Sequence, residues 1–352
     1  MLNKGVAAVN TVNRKIIDAV AAKAERICPG SLALIGVYGS VATGDAYEKS
    51  DLDLLILIED ERGWALGTGF LLEDSGIGYD IYCTDWSGLR YDAQCHHAHL
   101  SKLLDSQIIC VKNPRALEEL TRLREEARQF LQSEDRFSRV QELIQKAKIS
   151  YADAYLHTSL GQVRMDAYGV MYYLLDALML YHGTYFKLGV KRTMEELARI
   201  PIDESFPENL RKIAACGEIS ELRELLTDLL RYAENHTCRP KKKEAPSGAL
   251  AGTYEEMYSN WRNKVTEAAG TGHVFASFMN MCSFQFMLSE IGSGFEIGAY
   301  PVMEEYDPNH PARNAEICDR ALETYEAIYR AAGLKVRRYP DVDAFVADYG
   351  AI

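Results

Sequence analysis

A short apolar segment from 51 to 58 carries two aspartates, Asp51 and Asp53, and this pair constrains the fold more than any other feature of the sequence. The segment's length and apolar character predict a buried β-strand. Residues i and i+2 of a strand face the same side of its sheet, so both carboxylates are expected to lie together. Such a pair resists desolvation unless a cation neutralises it. The sequence therefore predicts a site for a hard divalent cation such as Mg²⁺.

A glycine and a serine precede this pair in a pattern that suggests a phosphate site. The apolar run from 32 to 38 predicts a first buried strand that stops at Gly39, and ten residues separate Ser40 from Asp51. Glycine lets the backbone approach a phosphate closely, and Ser40 can offer its hydroxyl. Lys49 is a candidate counter-charge for phosphate, although a loop lysine is commonly just solvated.

A third aspartate, Asp80, lies between Tyr79 and Ile81 in a further apolar segment that predicts a strand from 79 to 83. If this strand neighbours the one that carries Asp51 and Asp53, Asp80 joins the pair as a third carboxylate. Its role is then either metal ligation or acceptance of a proton from an attacking hydroxyl. The sequence leaves both roles open.

The order of apolar patterns predicts an α+β fold in three regions. Residues 1–115 combine a helix over 6–28 with four strands, the last over 107–111, and are expected to form a small domain with a mixed sheet. Residues 116–240 are patterned as a helical bundle. Lysines, glycines and a proline over 241–252 mark a linker, and 253–352 is expected to be mainly helical.

Charge and hydropathy indicate which classes of substrate and which location the protein is expected to have. The 352 residues include 39 basic and 51 acidic ones, a formal net charge of −12. A nucleic-acid binder normally needs a basic surface, so small or cationic substrates fit better than nucleic acid. No run of about 18 apolar residues and no leader pattern is present, which predicts a cytoplasmic protein without a membrane anchor.

The segments Val37-Tyr38-Gly39-Ser40, Ser50-Asp51-Leu52-Asp53-Leu54 and Tyr79-Asp80-Ile81 resemble the DNA polymerase β-type nucleotidyltransferase superfamily. The motif of that family is a hydrophobic residue, glycine, and glycine or serine, then roughly nine to thirteen residues, an Asp-hydrophobic-Asp/Glu pair and a later strand acid. A small α/β domain followed by helices is similar to bacterial kanamycin and lincosamide nucleotidyltransferases. The C-terminal hundred residues depart from the shorter members.

The resemblance implies a chemistry. A hydroxyl of a small molecule, with aminoglycoside-like antibiotics as the best-known acceptors, attacks the α-phosphate of a nucleoside triphosphate such as ATP and releases pyrophosphate. Two Mg²⁺ ions would be held by Asp51, Asp53 and Asp80. In some relatives a carboxylate of the helical domain is the base, and the candidates on or next to predicted helices are Asp166, Asp176 and Glu195.

A cationic segment from 185 to 192 follows the longest apolar helix and includes Lys187 and Lys191. These lysines are candidates for a triphosphate or pyrophosphate clamp. The alternative is a solvated helix end whose cations stabilise the C-terminal dipole.

Other hypotheses stay open at this point. Nucleotide transfer onto a protein or a tRNA end, as in toxin-antitoxin systems, is one, and a catalytically silent nucleotide-binding module is another. Arg231 and His236 resemble the Arg-x4-6-His pattern of HEPN ribonucleases, but Ala233 stands where a polar residue is usual. His96, His97 and His99 are interpreted as a surface cluster because adjacent histidines do not converge on one metal. The oligomeric state is not predicted.

Overall fold

A computed structural model of the chain describes residues 10–238 and 250–350. They form two compact units that divide between Cys238 and Arg239. The expected α+β class is confirmed, with a small mixed sheet near the N-terminus followed by mainly helical structure. None of the helices described is both long enough and apolar enough to cross a membrane.

The first unit begins with alternating helices and strands. They are α1 (Thr11–Ile27), β1 (Leu32–Val37), α2 (Gly39–Thr43), β2 (Leu54–Ile58), β3 (Thr68–Leu72), β4 (Ile77–Ile81), β5 (Cys83–Thr84), α3 (Trp86–Ala93), α4 (Ser101–Leu104) and β6 (Gln107–Val111). Four strands form one sheet in the order β5-β2-β1-β6, in which β5 runs parallel to β2 and the other neighbours are antiparallel. β3 and β4 form a separate antiparallel hairpin.

Two predicted strands need correction. β2 begins at Leu54 rather than at Asp51, because its partner β1 ends at Val37, opposite Leu54, where the chain turns into α2. The strand predicted over 79–83 is divided between β4, which pairs with β3, and β5, which joins the main sheet. β3 itself was not predicted, since only part of its surface is buried and its apolar signal is weak.

The alternation of β2 separates the two faces of the main sheet. Leu54, Ile56 and Ile58 pack with α1 and the β3–β4 hairpin in one hydrophobic cluster. Leu55 and Leu57 face the opposite side and pack in a second cluster that continues into the helices that follow β6. We call this second side the helical face of the sheet. It is the side on which α3, α4 and the helices that follow β6 are stacked.

Six helices complete the first unit. They are α5 (Pro114–Gln132), α6 (Arg136–Leu156), α7 (Leu160–Tyr181), α8 (Thr193–Leu197), α9 (Ser205–Ala215) and α10 (Ile219–Thr237). Local sequence explains where the long ones begin: Asn113 accepts a hydrogen bond from the amide of Arg115 ahead of α5, and Ser159 caps α7. α6 packs along α7, and α10 packs against both. The predicted boundary between residues 115 and 116 stays a prediction, as one core spans it.

The second unit has a core of its own. Its helices are α11 (Thr253–Met257), α12 (Asn263–Thr271), α13 (Val274–Gly294), α14 (Pro311–Ala331) and α15 (Val342–Tyr349). A π-helical turn, Tyr258–Arg262, separates α11 from α12. Phe284 of α13 and Tyr325 and Tyr329 of α14 are fully buried at the centre. Residues 241–249 of the predicted linker and 6–9 of the predicted first helix lie outside the described residues.

Candidate active site

Asp51 and Asp53 lie immediately before β2, with Leu52 between them. Leu52 is only 2% exposed and packs with the α1 side of the sheet, whereas both aspartates are half-buried. The amide of Tyr38 donates to the carbonyl oxygen of Asp53 at 3.1 Å, which extends the pairing of β1 and β2 by one step. Because the alternation therefore continues through this segment, both carboxylates lie on the helical face of the sheet.

Gly39 is required by the position of Asp53. Its φ is +63°, and a Cβ added to it would lie 1.9 Å from Asp53 Oδ2 and 2.7 Å from Asp53 Cγ. No side chain fits in that space, so the carboxylate of Asp53 packs directly on the backbone where α2 begins. The expected contact of Gly39 and Ser40 with a phosphate stays a prediction. The sequence did not indicate that Gly39 is also needed for the contact with Asp53.

The carboxylate of Asp53 is held in an unfavourable electrostatic setting. Burial, and then the charge of Asp51, raise its pKa to about 6, and the backbone amide of Ser40 opposes this rise. The neighbouring Tyr38 has its pKa raised by burial, by a hydrogen bond between its hydroxyl and that of Tyr82 at 3.1 Å, and by Asp53 and Asp92. Tyr38 is therefore a neutral phenol beside the two aspartates, and sequence reasoning gave it no role.

Asp80 is exposed on β4. It alternates with Tyr79 and Ile81, which are buried on the α1 side of the sheet, so Asp80 belongs with Tyr82 to the opposite side. Tyr82 contacts Tyr38, which borders Asp53. The strand that carries Asp80 pairs with β3 and not with β2, contrary to the arrangement on which its role depended. Its role as ligand or base stays a prediction.

Two carboxylates and a glycine turn fit a divalent cation. The raised pKa of Asp53 indicates that this pair of negative charges is incompletely compensated by protein groups. Within residues 10–238 and 250–350, no three His, Cys, Asp or Glu side chains converge closely enough to hold a metal ion. A cation at Asp51 and Asp53 would thus take its other ligands from water and substrate oxygens, which is common for Mg²⁺.

The three candidate lysines have different surroundings. Lys49 donates to the carbonyl oxygen of Ser75 in the β3–β4 turn, which gives it a structural contact. The ammonium of Lys187 lies 5.3 Å from the ring centre of Tyr185, and that of Lys191 lies 4.8 Å from the ring centre of Tyr47. Tyr47 belongs to the loop between α2 and Asp51, of which Lys49 is itself a part, so Lys191 rather than Lys187 contacts the loop that leads to the carboxylates.

Arg192 was missed as a site residue. It forms ion pairs with Asp45, in the same loop as Tyr47, and with Glu195 on α8. Asp45 is 147 residues away in the sequence, so only the fold reveals the contact. The cationic segment from 185 to 192 was the available signal. Lys191 and Arg192 together join the helical part of the unit to the carboxylate loop.

The helical-domain carboxylates are placed differently from one another. Asp166 pairs with His157 at 2.7 Å, and Glu195 pairs with Arg192. Asp176 is 0% exposed and accepts a hydrogen bond from the amide of Ala98 at 3.0 Å. The roles of all three as a base stay predictions, and Asp176 alone among them is fully buried.

The other histidines singled out in the sequence, His236 and the cluster around His96, contact neighbouring side chains. Nε2 of His236 lies 2.8 Å from Nε2 of His182, at the ends of α10 and α7, and Tyr232 stacks on His236. This geometry is that of a hydrogen bond between the two imidazole rings. Arg231 is exposed on α10. His96 stacks on Tyr91 at 4.2 Å, whereas His97 pairs with Asp92 at 3.2 Å.

Comparison with known proteins identifies the domain that holds these residues. Residues 14–151 match the family model described as a nucleotidyltransferase domain. The crystal structure of a nucleotidyltransferase-like protein from Exiguobacterium sibiricum 255-15 is similar at 14% identity over 69% of this chain and 80% of that one, with a TM-score of 0.32. No curated protein matches. The segment that contains Gly39, the two aspartates and Asp80 is therefore similar to a nucleotidyltransferase domain, as the resemblance predicted.

Proposed function

We propose that the chain moves a nucleoside monophosphate, AMP in the first instance, from a nucleoside triphosphate to a hydroxyl of a small molecule and releases pyrophosphate. The observation that carries this proposal is the close pair Asp51 and Asp53 against the Gly39 backbone, within a nucleotidyltransferase domain. An uncompensated carboxylate pair at the end of a buried segment is suited to hold a metal-bound triphosphate.

The residues of the chain take distinct parts in this reaction. Asp51 and Asp53 would hold Mg²⁺, with two ions as the family resemblance implies, and such ions neutralise the charge that develops on the phosphate oxygens. Gly39 lets the carboxylate of Asp53 pack on its backbone, and the backbone at Gly39 and Ser40 is proposed to contact the phosphates. The protein's contribution is mainly positioning and charge neutralisation.

Asp80 is proposed as the third acid of the site. Support comes from the parallel register of β2 and β5, in which Ile56 lies opposite Cys83. Asp53 and Asp80 each lie three residues before this pair and outside β2 and β5, so both acids precede the same end of the β2–β5 pair. The exposed side of Asp80 is also the side of Tyr82, whose hydroxyl meets that of Tyr38.

The acceptor is proposed to be a small cationic polyol, of which aminoglycosides are the best-known class. Support comes from the net charge of −12, since a negative protein field raises the local concentration of a cation and speeds its encounter. The test is incubation with labelled nucleoside triphosphates and Mg²⁺, with aminoglycosides, lincosamides, tRNA and proteins as acceptors. Labelling of tRNA or protein alone would replace the small-molecule acceptor with a macromolecular one.

Lys191 is proposed to bind the triphosphate from the helical side of the site. We expect Lys191→Ala to raise the KM for the nucleotide about 10-fold, because one charge-assisted phosphate contact contributes roughly 1.5 kcal/mol. Lys187→Ala should have a smaller effect, since Lys187 contacts Tyr185 rather than the carboxylate loop. Nucleotide binding is measured by titration calorimetry, with Lys212→Ala as the control at an ion pair on α9. Unchanged nucleotide binding by Lys191→Ala would show that Lys191 does not bind the triphosphate.

Metal binding should depend on pH through Asp53. Its folded pKa of about 6 lies above the ordinary 3.8, so protons compete with the cation as the pH falls below about 6. We expect the affinity for Mn²⁺, followed by paramagnetic resonance, to fall with decreasing pH through that region and to level off above it. In Asp51→Asn the like charge is gone and the pKa of Asp53 falls, so the midpoint should move to lower pH. A midpoint that stays in place would exclude Asp51 as the coupled charge.

A further inference from the structure

His99 is an imidazole that stacks on two aromatic rings on the helical face of the sheet. Its ring lies between two others, with its centre 5.1 Å from that of Phe186 and 5.8 Å from that of Tyr172, both nearly parallel to it. The side chain is still 47% exposed. The ring is thus held in one orientation while part of its edge stays open to a ligand.

A buried carboxylate lies behind the ring. Nε2 of His99 is 3.6 Å from Asp176 Oδ1, and that oxygen also accepts from the amide of Ala98 at 3.0 Å. Asp176 Oδ2 is buried and has no hydrogen-bond partner among the described residues. Because Nε2 faces a carboxylate, it is the nitrogen that carries the proton in the neutral ring, and Nδ1 keeps the lone pair.

Charges around the pair favour a neutral imidazole beside an anion. Burial raises the pKa of Asp176 to about 6, and His97 and Lys146 act against this rise. Burial and then His97 lower the pKa of His99. At pH 7 the ring is therefore free of its second proton and able to accept one, and the imidazolium that results would face a carboxylate.

Two routes connect His99 with the carboxylate site. Asp51 and Asp53 lie on the helical face of the sheet, and Ala98 belongs to the hydrophobic cluster that covers this face. The first route runs through Tyr38, whose pKa responds to both Asp53 and Asp92, and Asp92 pairs with His97.

The second route follows the segment from 186 to 192. The amide of Phe186 donates to the carbonyl oxygen of Ala98 at 2.8 Å, and its ring stacks on His99. At the other end of this segment, Lys191 lies over Tyr47 and Arg192 pairs with Asp45 in the carboxylate loop. Both routes connect the dyad with residues that border Asp53 or the loop before Asp51 on the helical face of the sheet.

We propose that His99 is the general base of the transfer reaction and that Asp176 is the residue that positions it. This inference rests on the proposed function. As the acceptor oxygen attacks the α-phosphorus, Nδ1 of His99 takes the hydroxyl proton, the new P–O bond forms and the bond to pyrophosphate breaks. The imidazolium then returns the proton to solvent. Asp176 stabilises the imidazolium through Nε2–H and fixes the tautomer.

The experiment measures pyrophosphate release from Mg-ATP, with water as the acceptor that is always present and with any hydroxyl acceptor that accelerates the release. His99→Ala should lower kcat by about 10²- to 10⁴-fold with little change in the KM for ATP, because a general base contributes that factor to the chemical step. Added imidazole should restore part of the rate by occupying the space between Tyr172 and Phe186. His96→Asn is the matched control, since His96 stacks on Tyr91 outside the dyad, and it should keep the wild-type rate.

The pH dependence of kcat in Asp176→Asn distinguishes a positioning role of Asp176 from a purely structural one. Asn keeps an acceptor for the amide of Ala98 but removes the charge that favours the imidazolium, so the pKa of His99 falls. With Mg²⁺ saturating, the acid limb of the kcat profile should move to lower pH, and the plateau should drop about 10-fold or more. An unmoved limb would contradict the positioning role.

The outcomes separate this inference from the proposed function. If the wild-type protein releases no pyrophosphate from any nucleoside triphosphate, the proposed function fails and this inference fails with it. If the wild type is active and His99→Ala is equally active, or is impaired but not rescued by imidazole, the transfer function stands and His99 is not its base.

Discussion

Asp53→Asn is expected to reduce nucleotide transfer by at least about 10³-fold and, in the metal-free protein at neutral pH, to raise the temperature of unfolding. The loss of activity follows because a charge contact on the reacting phosphates contributes roughly 4 kcal/mol to the barrier. The gain in stability follows because burial and Asp51 make the ionised Asp53 unfavourable in the folded state.

The pH dependence of that stability gain has a definite sign. The folded pKa of Asp53, about 6, exceeds the ordinary value of 3.8, so the wild-type protein loses stability as pH rises between these values. Asparagine does not titrate, so the advantage of the variant should be absent near pH 4 and grow to its full size above pH 6. Adding Mg²⁺ should stabilise the wild type and leave the variant nearly unaffected. Equal activity of the two proteins would contradict the assignment of Asp53, whatever their stabilities.

Gly39→Ala is expected to have the second-largest effect, about a 10²-fold or greater loss of transfer. The added Cβ would lie 1.9 Å from Asp53 Oδ2, so either the carboxylate or the turn must move. A displacement of about 1 Å at a reacting centre can cost a factor of this size. The positive φ of +63° adds roughly 1–2 kcal/mol of backbone strain. Steady-state rates and thermal unfolding of the same preparations measure the two consequences.

Gly44→Ala is the matched control for that variant. Gly44 ends α2 with φ +75°, and a Cβ added there would meet nothing within 4 Å. Its substitution brings the same kind of backbone strain without the clash, so it should lower stability to a similar degree and keep most of the activity. If both alanine variants lost activity equally, strain in α2 rather than displacement of Asp53 would explain the loss.

Local patterns predicted most of the secondary structure. β6 occupies 107–111 as expected, and α7 and α14 lie in the two regions, 116–240 and 253–352, that were expected to be helical. These elements have long periodic apolar patterns or short buried runs between turn residues, and both signals lie within the segment itself. The pairing of Asp51 with Asp53 was predictable for the same reason, because alternation along one strand fixes it.

Features that depend on distant parts of the chain were not predicted. The start of β2 is set by where β1 ends, and the side of the sheet on which Asp80 lies is set by the division of its strand between β3 and the main sheet. The ion pair of Arg192 with Asp45 joins residues 147 positions apart. Asp176 and the His99 segment were noted separately in the sequence, and only the packing of α7 brings them together.

Nucleotide transfer at Asp51 and Asp53 is tested most directly by following the α-phosphate and the γ-phosphate of ATP separately. The protein is incubated with Mg²⁺ and ATP that carries a label on the α-phosphate in one sample and on the γ-phosphate in the other. Nucleotide transfer at Asp51 and Asp53 predicts that the α label enters the acceptor or AMP, that the γ label leaves in pyrophosphate, and that both events disappear in Asp51→Asn and Asp53→Asn. Transfer of the γ label, or α-label transfer that survives both substitutions, would contradict the account.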